Sequence, residues 1–277
     1  MTEPLLQVSD LTVRYRGADR AAVSGVSLDV LAGETVGLVG ESGSGKSTIG
    51  RAILGLVRPS AGRISFAGKD IDAPTSWRGS ASLRVARAGA VQAIFQDPYS
   101  SLNPTRTIGS SLAEPLLAHG FGRPASRTRV TAMLERVGLP VAAMQRYPAQ
   151  FSGGQRQRIA IARALVLAPR LVVCDEPVSA LDLSIQAQVL NLLAEMQAEL
   201  GLAYLFISHD LAVVRHLAHR ILVLRQGEVV ESGPAEQVYS QPKHTYTRAL
   251  LAAAPIPDPA VQHGRSLLVS RGGQAYG

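Results

Sequence analysis

Residues 36–48 read VGLVGESGSGKST: four apolar residues and a glycine- and serine-rich turn, leading into STIGRAILGL with helical spacing. A buried strand that enters such a turn and leaves it as a helix is the setting of a phosphate-binding loop. Glycines let backbone N–H groups close round the phosphates, and the positive end of the helix dipole lies behind them. On this reading Gly40, Glu41, Ser42, Gly43, Ser44 and Gly45 form the loop, and Lys46 reaches the β- and γ-phosphates. Ser47 ligates Mg²⁺ through its hydroxyl, and Thr48 completes the nucleotide set. Lys46 is also one of only three lysines in an arginine-rich chain, so its position is not a by-product of composition.

Outward from this loop the text alternates. Residues 5–39 read as short strands, alternating at first and then nearly all apolar, and GRISFAGKDI restores strand character after the first helix. From about 98 to 150 the texture changes. IGSSLAEPLLAHG, SRTRVTAMLERVGL and AAMQRYPAQ read as short amphipathic helices separated by Pro and Gly, a helical insertion within an α/β core. The core resumes with GQRQRIAIARALVLAP as helix, RLVVCDEP as strand, a helix over about 184–200 and the strand LAYLFISHD. The alternation predicts a doubly wound parallel sheet whose ligands sit beyond the carboxyl ends of the strands. After Gly233 the rhythm fades: KHTYTRALLAAAP can form one more helix, PIPDP is extended and RGGQAYG is loose.

In LVVCDE, four apolar residues end in two carboxylates, which therefore emerge on the ligand side of the sheet. Asp175 is expected to hold Mg²⁺, usually through water, and Glu176 to orient or deprotonate the water that attacks the γ-phosphate.

The composition narrows the class. At 277 residues and 46% hydrophobic content, one large domain with an inserted subdomain is affordable. No apolar run approaches the ~18 residues of a membrane helix, and the start MTEPLLQVSD shows no signal peptide, so the expectation is a soluble, cytoplasmic chain. The single cysteine, Cys174, excludes intrachain disulfides and fits a reducing compartment. The net charge of +7 rests mostly on scattered arginines (Arg78, Arg84, Arg87 and Arg123 among them) without the dense, aromatic-laced patch that nucleic acid requires, and no nucleic-acid partner is expected.

A second anion-site pattern stands far downstream, QFSGGQRQRIAIARAL at 150–165, again small residues before a helix. The order of these motifs, from Tyr15 to His209, resembles the nucleotide-binding subunits of ABC transporters. The resemblance implies that FSGGQ is the signature loop, with Phe151 where Leu is more usual and with Ser152, Gly153, Gly154 and Gln155 as its nucleotide-facing residues. In that family two subunits sit head to tail, and the signature of one caps the γ-phosphate held by the P-loop of the other. Two loops in one chain then serve two composite sites.

By the same resemblance Gln96 in AIFQDP is the Q-loop residue, near Mg²⁺ and the attacking water and linked to the membrane partner. Asp182 ends the SALD loop along the dimer interface, His209 in SHD is the switch histidine at the γ-phosphate, and Tyr15 stacks on adenine. The family also implies the fold class: α/β, a P-loop NTPase core with a parallel sheet, an antiparallel β region at the N-terminal side and an inserted helical subdomain over about 98–158. The ABC ATPase domain is expected over 1–256, with a C-terminal extension over 234–277.

FQDPYSSLNP (95–104) and YSQPKHTYTRALLAAAP (239–255) narrow the resemblance to the ATPases of oligopeptide, dipeptide and nickel importers, although the cysteine-rich tail that some of these carry is absent after Cys174. The expected cofactors are ATP and Mg²⁺. The expected partners are a second ABC ATPase subunit (a copy or a paralogue), two transmembrane permease subunits and, indirectly, an extracellular substrate-binding protein, which puts the chain on the cytoplasmic face of the membrane. A nickel or metal-chelate importer is the alternative. ABC ATPases of DNA maintenance fit less well, since residues 49–150 lack sustained heptads, and those of translation normally carry two cassettes.

Overall fold

The computed structural model describes residues 3–71, 89–97 and 102–253. Expectations on Pro98–Ser101 of the Q-loop stretch, on Arg78, Arg84 and Arg87, and on PIPDP and RGGQAYG lie outside these residues.

Alternating apolar and polar residues give β1 (Leu6–Val13), β2 (Val23–Val30) and β4 (Ala61–Phe66), which with the two polar residues of β5 (Lys69–Asp70) form an antiparallel sheet in the order β2-β1-β4-β5. Mostly apolar runs give β3 (Thr35–Val39), β6 (Val91–Phe95, interrupted by Gln92), β7 (Leu171–Asp175), β8 (Ala203–Ser208) and β9 (Arg220–Arg225). With β10 (Glu228–Pro234) they make, among the described residues, a six-stranded sheet, β10-β9-β3-β8-β7-β6, parallel except for the antiparallel β9–β10 hairpin.

Parallel strands of this kind must be apolar on both faces, because both are covered. On one face Leu171, Val173, Leu205 and Ile207 pack with the antiparallel sheet and with Ile49 and Ile53 of α1 (Lys46–Leu54). On the other, Val172, Cys174, Tyr204 and Phe206 pack in the layer that holds the further α-helices of the described residues. These are α2 (Ile108–Ala118), α3 (Arg123–Arg136), α4 (Gly153–Leu165), α5 (Leu183–Leu200), α6 (Leu211–Leu217), α7 (Ala235–Ser240) and α8 (Thr245–Ala253).

AAMQRYPAQ departs from its helical expectation. Pro140 stands just before it and Pro148 interrupts it. Pro148 lacks an N–H and forces Tyr147 into extended backbone (φ −96°, ψ 154°), so only two 3-10 turns form, Val141–Gln145 and Pro148–Gln150.

Arg220 ties the two sheets together. Its Nε donates to Glu34 Oε1 at 2.6 Å and its Nη2 to Asp29 Oδ2 at 2.9 Å, so one planar guanidinium joins β9, β2 and the turn before β3. Arg220→Met keeps the stem but removes the fork, and should cost about 1–2 kcal/mol after discounting for partial exposure, or roughly 2–8 °C in Tm. An unchanged melting curve would show that the network contributes nothing.

Candidate active site

Neighbouring strands of the parallel sheet end in step. Phe95 pairs with Asp175, Asp175 with Ile207, and Ser208 with Val39. The next residues along β6, β7, β8 and β3 are therefore Gln96, Glu176, His209 and Gly40, all at one carboxyl edge. Residues as distant in sequence as Gly40 and His209 meet there because parallel strands share a direction.

The P-loop occupies the end of β3. Gly40 lies so close to β9 that a Cβ would sit 2.1 Å from the Leu224 carbonyl oxygen, and Gly45 enters α1 at φ 104°, a backbone region that side chains disfavour. Lys46 Nζ donates to the Gly40 and Glu41 carbonyls, each at 2.7 Å. Burial of this ammonium lowers its pKa, against the pull of Glu176, Asp175 and Glu41. Ser47 Oγ donates to Asp175 Oδ1 at 2.8 Å. Burial raises the Asp175 pKa, opposed first by that bond and then by Arg51. A hydroxyl and a carboxylate oxygen in contact are hard donors of the kind Mg²⁺ takes. Among the described residues no group of three or more His, Cys, Asp or Glu is placed to hold a metal ion by itself.

Glu176 is one step off the strand and has φ 50°, unusual for a residue with a side chain and costing about 1 kcal/mol or more. Its N–H still donates to Ile207 O at 2.9 Å, and its carbonyl accepts from Ser179 Oγ at 3.1 Å. The kink is thus held from both sides. Its Oε2 lies 3.3 Å from His209 Nδ1, with the carboxylate largely buried and the imidazole half-exposed. His209 is itself fixed between Ser208, whose Oγ accepts from Asp210 N, and Asp210, whose carboxylate caps α6 at Ala212 N. Tyr15 is exposed, and its hydroxyl is 3.2 Å from Thr48 Oγ1, which brings the ring to the first turn of α1.

The signature loop and Asp182 are brought to each other, within a different part of the fold. Ser152 Oγ accepts from Gln155 N and Gln155 Oε1 from Ser152 N, a capping box that starts α4. A Cβ on Gly154 would fall 2.6 Å from Ile185 Cγ2, so α4 sits hard against α5, whose N-cap is Asp182 (accepting from Ile185 N at 3.0 Å). Among the described residues no hydrogen bond joins 152–155 to 40–48.

Three contributors were not singled out from sequence. Arg51, one turn along α1 from Ser47, acts on Asp175, and an apolar helix with one arginine gave no signal of this. Arg225 and Tyr246 flank the P-loop from β9 and α8. Only the fold brings them there.

Comparison with known proteins agrees with this geometry. The ABC transporter family model matches residues 23–179, and that of the oligopeptide/dipeptide transporter C-terminal region matches 230–273. The oligopeptide transport ATP-binding protein OppF of Escherichia coli (strain K12) is 48% identical over 97% of this chain and 83% of its own length. The glutathione import ATP-binding protein GsiA of Salmonella typhimurium is 49% identical over 97% of this chain, which spans 44% of that relative's length. Among solved structures, cbiO1 from Clostridium perfringens, part of the ABC transporter complex cbiONQ, superposes with a TM-score of 0.77 at 28% identity, covering 86% of this chain and 92% of its own. The ATP-binding cassette MJ0796, dimeric and bound to ADP and Pi, gives 0.73 at 28% identity over 83% of this chain and 98% of its own. With one family model matched over more than half of its length and a relative 48% identical along nearly all of it, the chain belongs to the ABC transporter family, as an ATP-binding protein with the oligopeptide/dipeptide type of C-terminal region.

Proposed function

We propose that the chain hydrolyses Mg-ATP to drive import of peptides or related small solutes through separate transmembrane subunits. The observation that carries the reading is the convergence of Lys46, Ser47, Asp175, Glu176 and His209 at one carboxyl edge of the sheet. Lys46 exchanges its two carbonyl partners for the β- and γ-phosphates, the P-loop N–H groups hold the remaining phosphate oxygens, and Tyr15 packs on the adenine. Ser47 and Asp175, with Gln96 nearby, would hold Mg²⁺, which would supply charge compensation for the phosphates. Glu176 orients the attacking water and takes its proton as the bond between the γ-phosphorus and the bridging oxygen breaks, while His209 steadies the γ-phosphate. Ser152–Gln155 and Asp182 complete the site of a second ATPase subunit. Titration of the purified chain with ATP, followed by the same titration on Lys46→Ala, tests the first step: equal affinity in the two would remove the P-loop from the reading.

Among the described residues no helix is long and apolar enough to cross a membrane. The coupling surface is instead a groove of about 380 Å³ between the edge strand β6, α2 and α4, lined by Phe95, Pro115, Ala160 and Arg163 among others. Phe95 is an exposed aromatic at its end, next to Gln96. A short cytoplasmic helix of a permease subunit fits this groove, and Phe95 is its natural anchor. Phe95→Glu should weaken copurification with the membrane subunits at least about 10-fold while nucleotide binding stays at the parent level. Unimpaired assembly of that variant would place the permease elsewhere.

A further inference from the structure

The P-loop is held from outside by the part of the chain that reads as an extension. Tyr246, in α8, is buried, and its hydroxyl accepts a hydrogen bond from Glu41 N at 3.0 Å. The Glu41 N–H and the Gly40 carbonyl belong to one peptide unit, and that carbonyl is the acceptor for Lys46 Nζ at 2.7 Å. One planar, trans peptide is therefore gripped at both ends, by Tyr246 on its N–H side and by Lys46 on its oxygen side. A second grip lies three residues on, where Gly227 N, in the β9–β10 turn, donates to Ser44 O at 2.9 Å. Arg225, two residues before Gly227, has its guanidinium 5.1 Å from the centroid of the Tyr246 ring.

Tyr246 is itself anchored at a distance from the loop. Glu231 on β10 accepts from Lys243 N at 2.8 Å and from His244 N at 3.0 Å, fixing the entry to α8. Although burial of this carboxyl works the other way, the bond from Lys243 and its neighbours hold its pKa below the usual range. Tyr246 N then donates to His244 Nδ1 at 3.1 Å, which turns the chain into the helix. The path from Glu231 to Glu41 runs through short, directional contacts.

We propose that Tyr246 is a positioning residue for nucleotide binding: by fixing the Gly40–Glu41 peptide it sets the loop carbonyl from which Lys46 reaches the phosphates. Without the hydroxyl, that peptide can rotate, and the loop must be ordered at the moment ATP binds. Affinity then falls by the cost of the ordering, while the step that breaks the phosphate bond, made by other groups, is little changed.

This inference rests on the reading of Gly40–Thr48 as an ATP site, and the experiment separates the two. Full-length parent, Tyr246→Phe and Tyr204→Phe are titrated with Mg-ATP and Mg-ADP, and their hydrolysis is followed across ATP concentration. Tyr204 is the control, because its hydroxyl is also buried and donates to a backbone carbonyl, Leu193 O at 3.0 Å, within the helical layer of the sheet and away from the P-loop. Loss of one hydrogen bond should raise the Kd for both nucleotides about 3- to 10-fold in Tyr246→Phe, with kcat within about 2-fold of the parent, and leave Kd unmoved in Tyr204→Phe. If the parent binds neither nucleotide, the ATP-site reading itself fails. If the parent binds and Tyr246→Phe matches it, or if Tyr204→Phe loses as much affinity, Tyr246 has no positioning role.

Discussion

Glu176→Gln should bind Mg-ATP as the parent does and hydrolyse it at least ~10²-fold more slowly, the weight of one positioned acid–base group. The substitution is close to isosteric, and the groups that hold the residue are backbone ones: its N–H on Ile207 O and its carbonyl under Ser179. The φ of 50° should therefore survive, with the amide where the carboxylate was. What disappears is the proton acceptor. On the proposed reading Asp175, paired with Ser47 at 2.8 Å, is committed to Mg²⁺ and does not replace it. Chemistry slows while binding does not, so the ATP-bound form should accumulate, and single-turnover hydrolysis alongside equilibrium titration reads both at once. Hydrolysis equal to the parent's would take Glu176 out of the role. His209→Ala gives a useful companion, since the histidine touches Glu176 from the end of β8 and none of the P-loop's own contacts depends on it; its loss should spare most of the ATP affinity that Lys46→Ala abolishes.

What could be read in advance was whatever has local causes. The strand–glycine–lysine–helix run at 36–48 carries its fold in thirteen adjacent residues, and LVVCDE announces a buried strand that ends in acids. The parallel order of the sheet followed from alternation. Three features were not legible, each for a physical reason. Nothing in the run Asp175–Glu176–Pro177 demands a left-handed glutamate; the kink is imposed by bonds to β8 and to Ser179. AAMQRYPAQ has helical apolar spacing, but Pro140 before it and Pro148 within it decide against an α-helix, and spacing alone does not weigh them. Tyr246 reads as one more apolar-face residue of a terminal helix, and its contact lies 205 positions upstream. The roles of the signature and of Asp182 came from family resemblance, and within the chain the structure shows them as helix caps.

Whether those caps also serve ATP is decided by mixing two inactive chains. Lys46→Ala removes the cation of the P-loop, and Ser152→Arg puts a bulky charge at the exposed N-cap of α4. Losing that cap costs about 1 kcal/mol, which the buried body of α4 can absorb, so the second chain should still fold. Each variant alone should be nearly inactive, because every site in its homodimer carries a lesion. In a mixture, a head-to-tail pair has one site with both lesions and one with neither, since the intact P-loop of the Ser152 variant faces the intact signature of the Lys46 variant. Random pairing at equal amounts leaves about a quarter of all sites undamaged. If the two loops served one ATP within a chain, every site would still be damaged. Nucleotide-dependent dimerisation is the better readout, because transport can require two working sites, whereas a closed interface reports a single occupied one. Should the second ATPase be a paralogue, the two lesions are divided between the two different chains and the logic is the same. Dimers or hydrolysis recovered only in the mixture establish a site shared across subunits, and their absence where mixed pairs demonstrably form would falsify it.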